Sequence, residues 1–175
     1  MHTTLLHRLG ARDRALYQRI LLKPERSATF RRLVIMLTHL GGPGVTVALA
    51  MWPLLAGGRF FALGRHALAT LVLSHAIVQM VKRSIGRPRP STTQPDLCLI
   101  ADPDQFSFPS GHAAAALSLA LAYSAAWPSL SVAIIALAAV VGASRIALGV
   151  HYPGDVAAGQ ALAYVTHFML LRASI

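Results

Sequence analysis

FALGRHALATLVLSHAIVQMV, from Phe61 to Val81, holds a single formally charged residue, Arg65. Its length matches the ~20 residues that an α-helix needs to cross the hydrocarbon core of a bilayer. Comparable apolar stretches lie on both sides of it: Leu33 to Ala56 before, and Ala113 to Trp127, Leu130 to Ala143 and Val156 to Leu171 after. Of the 175 residues, 55% are hydrophobic and only 13% charged, too few polar groups to cover a water-soluble bundle of five such stretches. The expected fold class is therefore all-α, a polytopic membrane helix bundle of five spans.

The first span is interrupted by Gly41-Gly42-Pro43-Gly44, which lowers helix propensity and removes one amide donor. The interruption is compatible with two elements, an interfacial amphipathic helix carrying Phe30, Leu33, Val34 and Leu37 and then a span from Pro43. A split here would give six spans in place of five. Residues 1–32 carry half of the 16 Lys and Arg and lack an apolar core of the length a cleaved signal needs. They read as a basic interfacial segment preceding a membrane-embedded domain over residues 33–175. A net charge of +10 concentrated there points to anionic headgroups or to fixing of topology, and not to nucleic acid. The single cysteine, Cys98, excludes an internal disulfide and argues against a thiolate metal site.

Polar residues gather in three clusters at span ends, where desolvation makes them costly. Lys82-Arg83-Ser84-Ile85-Gly86-Arg87-Pro88-Arg89-Pro90 closes one span, and its prolines force extended backbone that turns Arg89 back toward the bilayer face. Taken alone it could equally be a positive-inside anchor. Phe108-Pro109-Ser110-Gly111-His112 opens the next span, with Ser110 as its N-cap and first-turn amides open to an anion such as phosphate. A simple cap beside an interfacial histidine is the plainer alternative. Ser144 to Asp155 joins the last two spans. Pro153 suits the first helical turn, which places Asp155 near the positive helix end and His151 just outside it. A carboxylate near one imidazole nitrogen fixes the tautomer and leaves the other as a nucleophile; half of a metal site is the alternative, disfavoured because no second acidic pair lies nearby. His75 and Gln79, one turn apart, together with Ser118, Tyr123 and Gln160, are read as interhelical hydrogen-bonding residues, and Ala113 to Ala116 as close helix packing.

Together the clusters, as KxxxxxxRP over Lys82 to Pro90, PSGH over Pro109 to His112 and SRxxxxxHxxxD over Ser144 to Asp155, resemble the type 2 phosphatidic acid phosphatase family. That family also includes vanadium haloperoxidases and bacterial polyprenyl diphosphate phosphatases. The resemblance covers Phe61 to Leu171 and leaves out the basic N-terminus; many members have two spans before Phe61, where this chain has the interrupted one. It implies a metal-independent lipid phosphatase without a cofactor. Lys82, Arg89 and Arg145 would hold the phosphate oxygens, with Ser110 and the Gly111 amide adding hydrogen bonds. His151 would form a phosphohistidine, Asp155 would orient it, and His112 would protonate the leaving group and then activate water. Spans argue for a lipid substrate over a haloperoxidase reaction, and gathering of the polar groups at one face argues against a transporter. A catalytically silent scaffold would have no use for all three motifs. Candidate substrates are a polyprenyl phosphate or diphosphate, phosphatidylglycerol phosphate and phosphatidic acid, and the short connection Ser91 to Ser107 favours a simple headgroup. With five spans the basic tail lies on the motif side, and the positive-inside rule then makes that face cytoplasmic in an inner membrane.

Overall fold

The structure, a computed structural model, describes residues 2–22, 27–101 and 104–173. Regular structure among them is helical, with an isolated antiparallel bridge between Pro88 and Phe106. The helices are α1 (His2–Ile20), α2 (Ala28–His39), α3 (Pro43–Ala56), α4 (Phe61–Ile85), the single turn α5 (Pro90–Thr93), α6 (Gly111–Ala126), α7 (Ser131–Ala147) and α8 (Pro153–Arg172).

Local sequence sets the boundaries. Pro43, Pro90 and Pro153 each stand in the first turn of their helices, where the missing amide costs nothing. Gly86 ends α4 in the left-handed conformation, φ 62°, with its amide bonded to the Lys82 carbonyl. Ser110 caps α6, its hydroxyl oxygen accepting from the Ala113 amide at 3.5 Å.

Helix α6 is central, with α4, α7 and α8 packed around it, α3 against α4 and α2 against α7. Its run Ala113 to Ala116 is almost wholly buried, the close packing expected of small residues between membrane helices. Gly159 of α8 faces the Ser110 carbonyl so closely that a Cβ there would lie 2.4 Å from the oxygen. Large apolar side chains such as Leu55, Met80, Val132 and Met169 point outward, which water would penalise and lipid does not.

Gly58–Ile85 and Pro128–Ala147 are each long and apolar enough to cross a membrane; α2 and α3, bent by 46° at their break, make a third if they form one span. Helix α6 is apolar but has only 16 residues. The GGPG interruption therefore produces two helices, as its composition suggests, although the buried side of α2 is Val34 and Thr38, while Phe30 and Leu33 point outward. At the far end of the bundle Trp52, Phe60, Trp127 and Tyr123 form a chain of ring contacts, the kind of belt that marks a membrane interface.

Candidate active site

The three sequence clusters converge at the end of the bundle formed by the C-terminus of α4, the N-termini of α6 and α8 and the C-terminus of α7. Lys82 sits on the last turn of α4 and is buried, donating from Nζ to Asp104 Oδ2 at 2.6 Å and to the Phe106 carbonyl at 3.1 Å. Arg89, in extended backbone between the two prolines, is 1% exposed. It donates from Nε to the Asp104 carbonyl and from Nη2 to Asp104 Oδ1, both at 2.8 Å, and from Nη1 to the Val150 carbonyl at 2.8 Å. Arg145, on the last turn of α7, is buried and reaches Thr38 Oγ1 of α2 at 3.1 Å.

His151 lies in the connection between α7 and α8 and is almost fully buried. Its Nε2 stands 3.2 Å from Arg89 Nη1, and its Nδ1 stands 3.5 Å from Asp155 Oδ2. A guanidinium can only donate, so Nε2 is the acceptor and the ring proton belongs on Nδ1, toward the carboxylate. The Nδ1 contact is an ion-pair distance, longer than a formed hydrogen bond. Burial, and then the charges of Arg89, Arg145 and Lys82, hold the His151 pKa well below the usual imidazole value, so the ring is neutral, with its Nε2 lone pair turned to Arg89.

Asp155 Oδ2 also accepts from the Tyr152 amide at 2.8 Å, which closes the first turn of α8, and Oδ1 accepts from Arg87 Nη1 at 2.7 Å. His112, in the first turn of α6, faces the same cavity as His151 and lies against the glycine break between α2 and α3. A Cβ on Gly41 would meet the His112 carbonyl at 2.9 Å, and one on Gly42 would lie 3.8 Å from His112 Nε2. The break thus lets the chain approach the site closely. The cavity, about 550 Å³, is lined by Lys82, Arg89, Gly111, His112 and His151 together with apolar residues including Pro43, Val47, Leu71 and Val72.

All eight residues expected from sequence, Lys82, Arg89, Ser110, Gly111, His112, Arg145, His151 and Asp155, therefore lie in or around one region. Ser110 is the N-cap, and its amide donates to the Asp155 carbonyl at 2.9 Å, which ties the PSGH turn to α8. His75 and Gln79 differ from their expected role: they bond one another along α4 at 3.1 Å and line the cavity instead of joining helices. The other residues do bridge helices, Ser118 to Ser74, Tyr123 to the Leu49 carbonyl and Gln160 to the Ala138 carbonyl.

Four contributors escaped the sequence reading. Asp104 holds Lys82 and Arg89 together. Burial raises its carboxyl pKa, but hydrogen bonds from Lys82 and Arg89 and their charges outweigh that and set it at about 2. Arg87 neutralises Asp155 and stacks over the Tyr152 ring at 4.2 Å. Asp13 of α1 accepts from Arg87 Nη2 and from the Gly154 amide, both at 2.7 Å. Thr38 is the fourth, on Arg145. Arg87 was visible inside the first cluster as an extra cation; the other three had no signal of spacing or type.

Comparison with known proteins follows the same outline. The chain aligns with lipid A 1-phosphatase of Rhizobium johnstonii at 35% identity over 118 residues, 65% of this chain and 48% of that protein. It aligns with decaprenylphosphoryl-5-phosphoribose phosphatase of Mycobacterium tuberculosis at 44% identity over 95 residues, 51% of this chain and 49% of that protein. The chain thus spans about half the length of these curated relatives. Its fold matches the crystal structure of Aquifex aeolicus LpxE with a TM-score of 0.77 at 24% identity, covering 90% of this chain and 93% of that one. It matches the phosphatidylglycerolphosphate phosphatase of Bacillus subtilis with a TM-score of 0.74 at 23% identity, covering 95% and 86%. Residues 63–174 match the PAP2 superfamily, and the chain belongs to that family.

Proposed function

We propose that this chain is a membrane lipid phosphatase that hydrolyses a phosphate monoester or diphosphate through a phosphohistidine on His151. The observation that carries the reading is the placement of a neutral His151 Nε2 beside Arg89 in a cavity whose lining is mainly apolar. An amphiphile fits such a space, phosphate at the cations and tail toward lipid. The named activities of the relatives, both phosphatases of lipids, support the same class.

In this mechanism Lys82, Arg89 and Arg145, with the Gly111 amide and the Ser110 hydroxyl, neutralise the phosphoryl oxygens. His151 Nε2 attacks phosphorus as the bond to the leaving oxygen breaks, and His112 gives that oxygen a proton. Asp155 offsets the positive charge on the phosphorylated ring. A water then gives its proton to His112, attacks the phosphohistidine and releases phosphate, which restores both histidines. Charge neutralisation comes from side-chain cations, so the chemistry needs no metal ion or cofactor.

We place the chain in the membrane with five spans, the first being the bent pair α2 and α3. Docking of α1 at the motif end of the bundle supports a tail on the same side as the site. With so many Lys and Arg in residues 1–32, the positive-inside rule makes that side cytoplasmic.

The test is phosphate release by purified protein in detergent from prenyl phosphates, prenyl diphosphates, phosphatidylglycerol phosphate and phosphatidic acid. Turnover of at least one is expected, persisting in EDTA and inhibited by vanadate, whose five-coordinate form mimics the transition state. His151→Ala should lower kcat by at least about 10³-fold. Near-normal turnover by that variant would sink the phosphohistidine mechanism.

A further inference from the structure

His75 and Gln79 stand on the cavity-facing side of α4, and the mechanism above uses neither. They precede Lys82 by seven and three residues, so with Lys82 they form one helical stripe, set back from it by about 10 Å and about 5 Å along the axis. The stripe continues deeper as Leu71, Val72 and Leu68, which are also cavity walls. Along this wall the order is cation, polar pair, hydrocarbon.

His75 is exposed and Gln79 half-buried, on a helix long and apolar enough to span a membrane. A polar pair exposed in a mainly apolar cavity at that depth is costly unless something polar comes to meet it. The pair is also pre-arranged. One His75 ring nitrogen, Nε2, is bonded to the Gln79 amide at 3.1 Å, and whichever way that amide is turned, Nδ1 has no hydrogen-bond partner among the described residues. Beside it lies the PSGH turn: a Cβ on Gly111 would be 3.6 Å from His75 Cε1 and 3.9 Å from Nδ1. The imidazole therefore borders the phosphate end of the cavity, on its tail side.

We propose that His75, held by Gln79, is a specificity residue that hydrogen-bonds a polar group carried by the leaving group, within a few bonds of the scissile phosphate. The preferred substrate class is then a lipid whose phosphate is attached through an oxygen-rich connector, a sugar or a second phosphoryl group, and not directly to the hydrocarbon. This rests on the lipid phosphatase reading and deepens it.

Three probes separate the possibilities: farnesyl phosphate, with no connector; farnesyl diphosphate, with a phosphoryl connector; and farnesyl-phosphoryl-ribose 5-phosphate, with a sugar connector. The readout is the ratio of kcat/KM for each connector substrate to that for farnesyl phosphate within one sample, so any unfolded fraction cancels. Both His75→Phe and Gln79→Met should lower that ratio by about tenfold, mainly through KM, for whichever connector the site reads. A fall confined to the diphosphate assigns a phosphoryl connector, and one confined to the ribose substrate assigns a sugar. Ratios equal to the parent's in both variants overturn the proposal while leaving the phosphatase reading intact. A parent that releases phosphate from none of the probes or the lipids above overturns both.

Discussion

Arg87 donates to Asp155 Oδ1 at 2.7 Å from the side away from His151, so the carboxylate beside the imidazole is shared with a cation. That cation is in turn held by Asp13 at 2.7 Å, and Asp13 also accepts from the Gly154 amide in the first turn of α8. Tyr17, one helical turn further along α1, packs edge-on against Tyr152 at 5.4 Å between ring centres. The N-terminal helix is thereby fastened to the segment that presents His151 and Asp155.

Removing the charge of Asp13 would free Arg87 to lean wholly on Asp155, drawing its negative charge away from the imidazole that it balances in the proposed mechanism. Asp13→Asn is expected to lower kcat about tenfold with KM nearly unchanged, and Asp13→Glu to restore part of the loss. Steady-state kinetics beside a thermal melt in detergent distinguish this from mere loosening of α1, which would lower Tm without a selective effect on kcat.

The depressed pKa of His151 has a consequence for stability. Its cause is burial first, then Arg89, Arg145 and Lys82, so the folded ring stays neutral where an unfolded chain would bind a proton. The contribution is fully present above about pH 6.5 and is lost as pH falls below that value toward the folded pKa. Asp104 behaves differently, because its folded pKa of about 2 keeps its contribution intact until pH falls below the ordinary carboxylate range. Melting should therefore show Tm falling between about pH 7 and about pH 5, a slope that His151→Gln makes shallower and Asp104→Asn leaves in place. Parallel slopes for His151→Gln and the parent would remove His151 as the source.

How much of this was readable in advance depends on what each residue does. Lys82, Arg89, Arg145, the two histidines and Asp155 were legible because the proposed chemistry demands those types, and helix ends fix their spacing within each motif. Asp13, Thr38 and Asp104 were not, since each acts on a residue far away in sequence, as Thr38 does on Arg145, and neither an acid or a hydroxyl on a helix, as Asp13 and Thr38 are, nor an acid in a connection, as Asp104 is, carries a mark of its partner. The break at Gly41 to Gly44 was legible as a break, but not as the place where the chain approaches His112. Nor could apolar periodicity say that Phe30 and Leu33 face outward, because in a membrane protein both lipid and core select the same side chains.

Gly159 is a second feature that only packing reveals. A methyl group there would sit 2.4 Å from the Ser110 carbonyl oxygen, a backbone atom that cannot move without shifting the cap of α6 and the amide of Gly111. Gly159→Ala is expected to cost about 1–3 kcal/mol and to depress kcat/KM in the folded fraction. Gly44→Ala is the matched control: nothing lies within 4 Å of its added Cβ, and alanine favours the helix. Equal Tm values for Gly159→Ala and the parent would show that α8 can yield without disturbing the turn.

The face of the membrane that holds the site can be read through Cys98, the single cysteine, which lies in the connection between the first two motifs and is partly exposed. Helix α1 docks on the motif end, the break between α2 and α3 bends the chain by 46° without reversing it, and the Trp52, Phe60 and Trp127 contacts mark the opposite end. In the five-span arrangement proposed above, a chain that enters on the motif side and bends without reversing crosses once before α4, which puts the basic tail and the site on one face. A membrane-impermeant maleimide is expected to label Cys98 only after cells are permeabilised. In a Cys98→Ser background, a cysteine introduced by Gly58→Cys at the opposite end should label in intact cells. Ready labelling of Cys98 in intact cells would move the catalytic face outside and sink the five-span arrangement, unless the basic tail lies outside with it. The concentration of Lys and Arg in residues 1–32 would then have to serve attraction to outer-leaflet anions instead of topology.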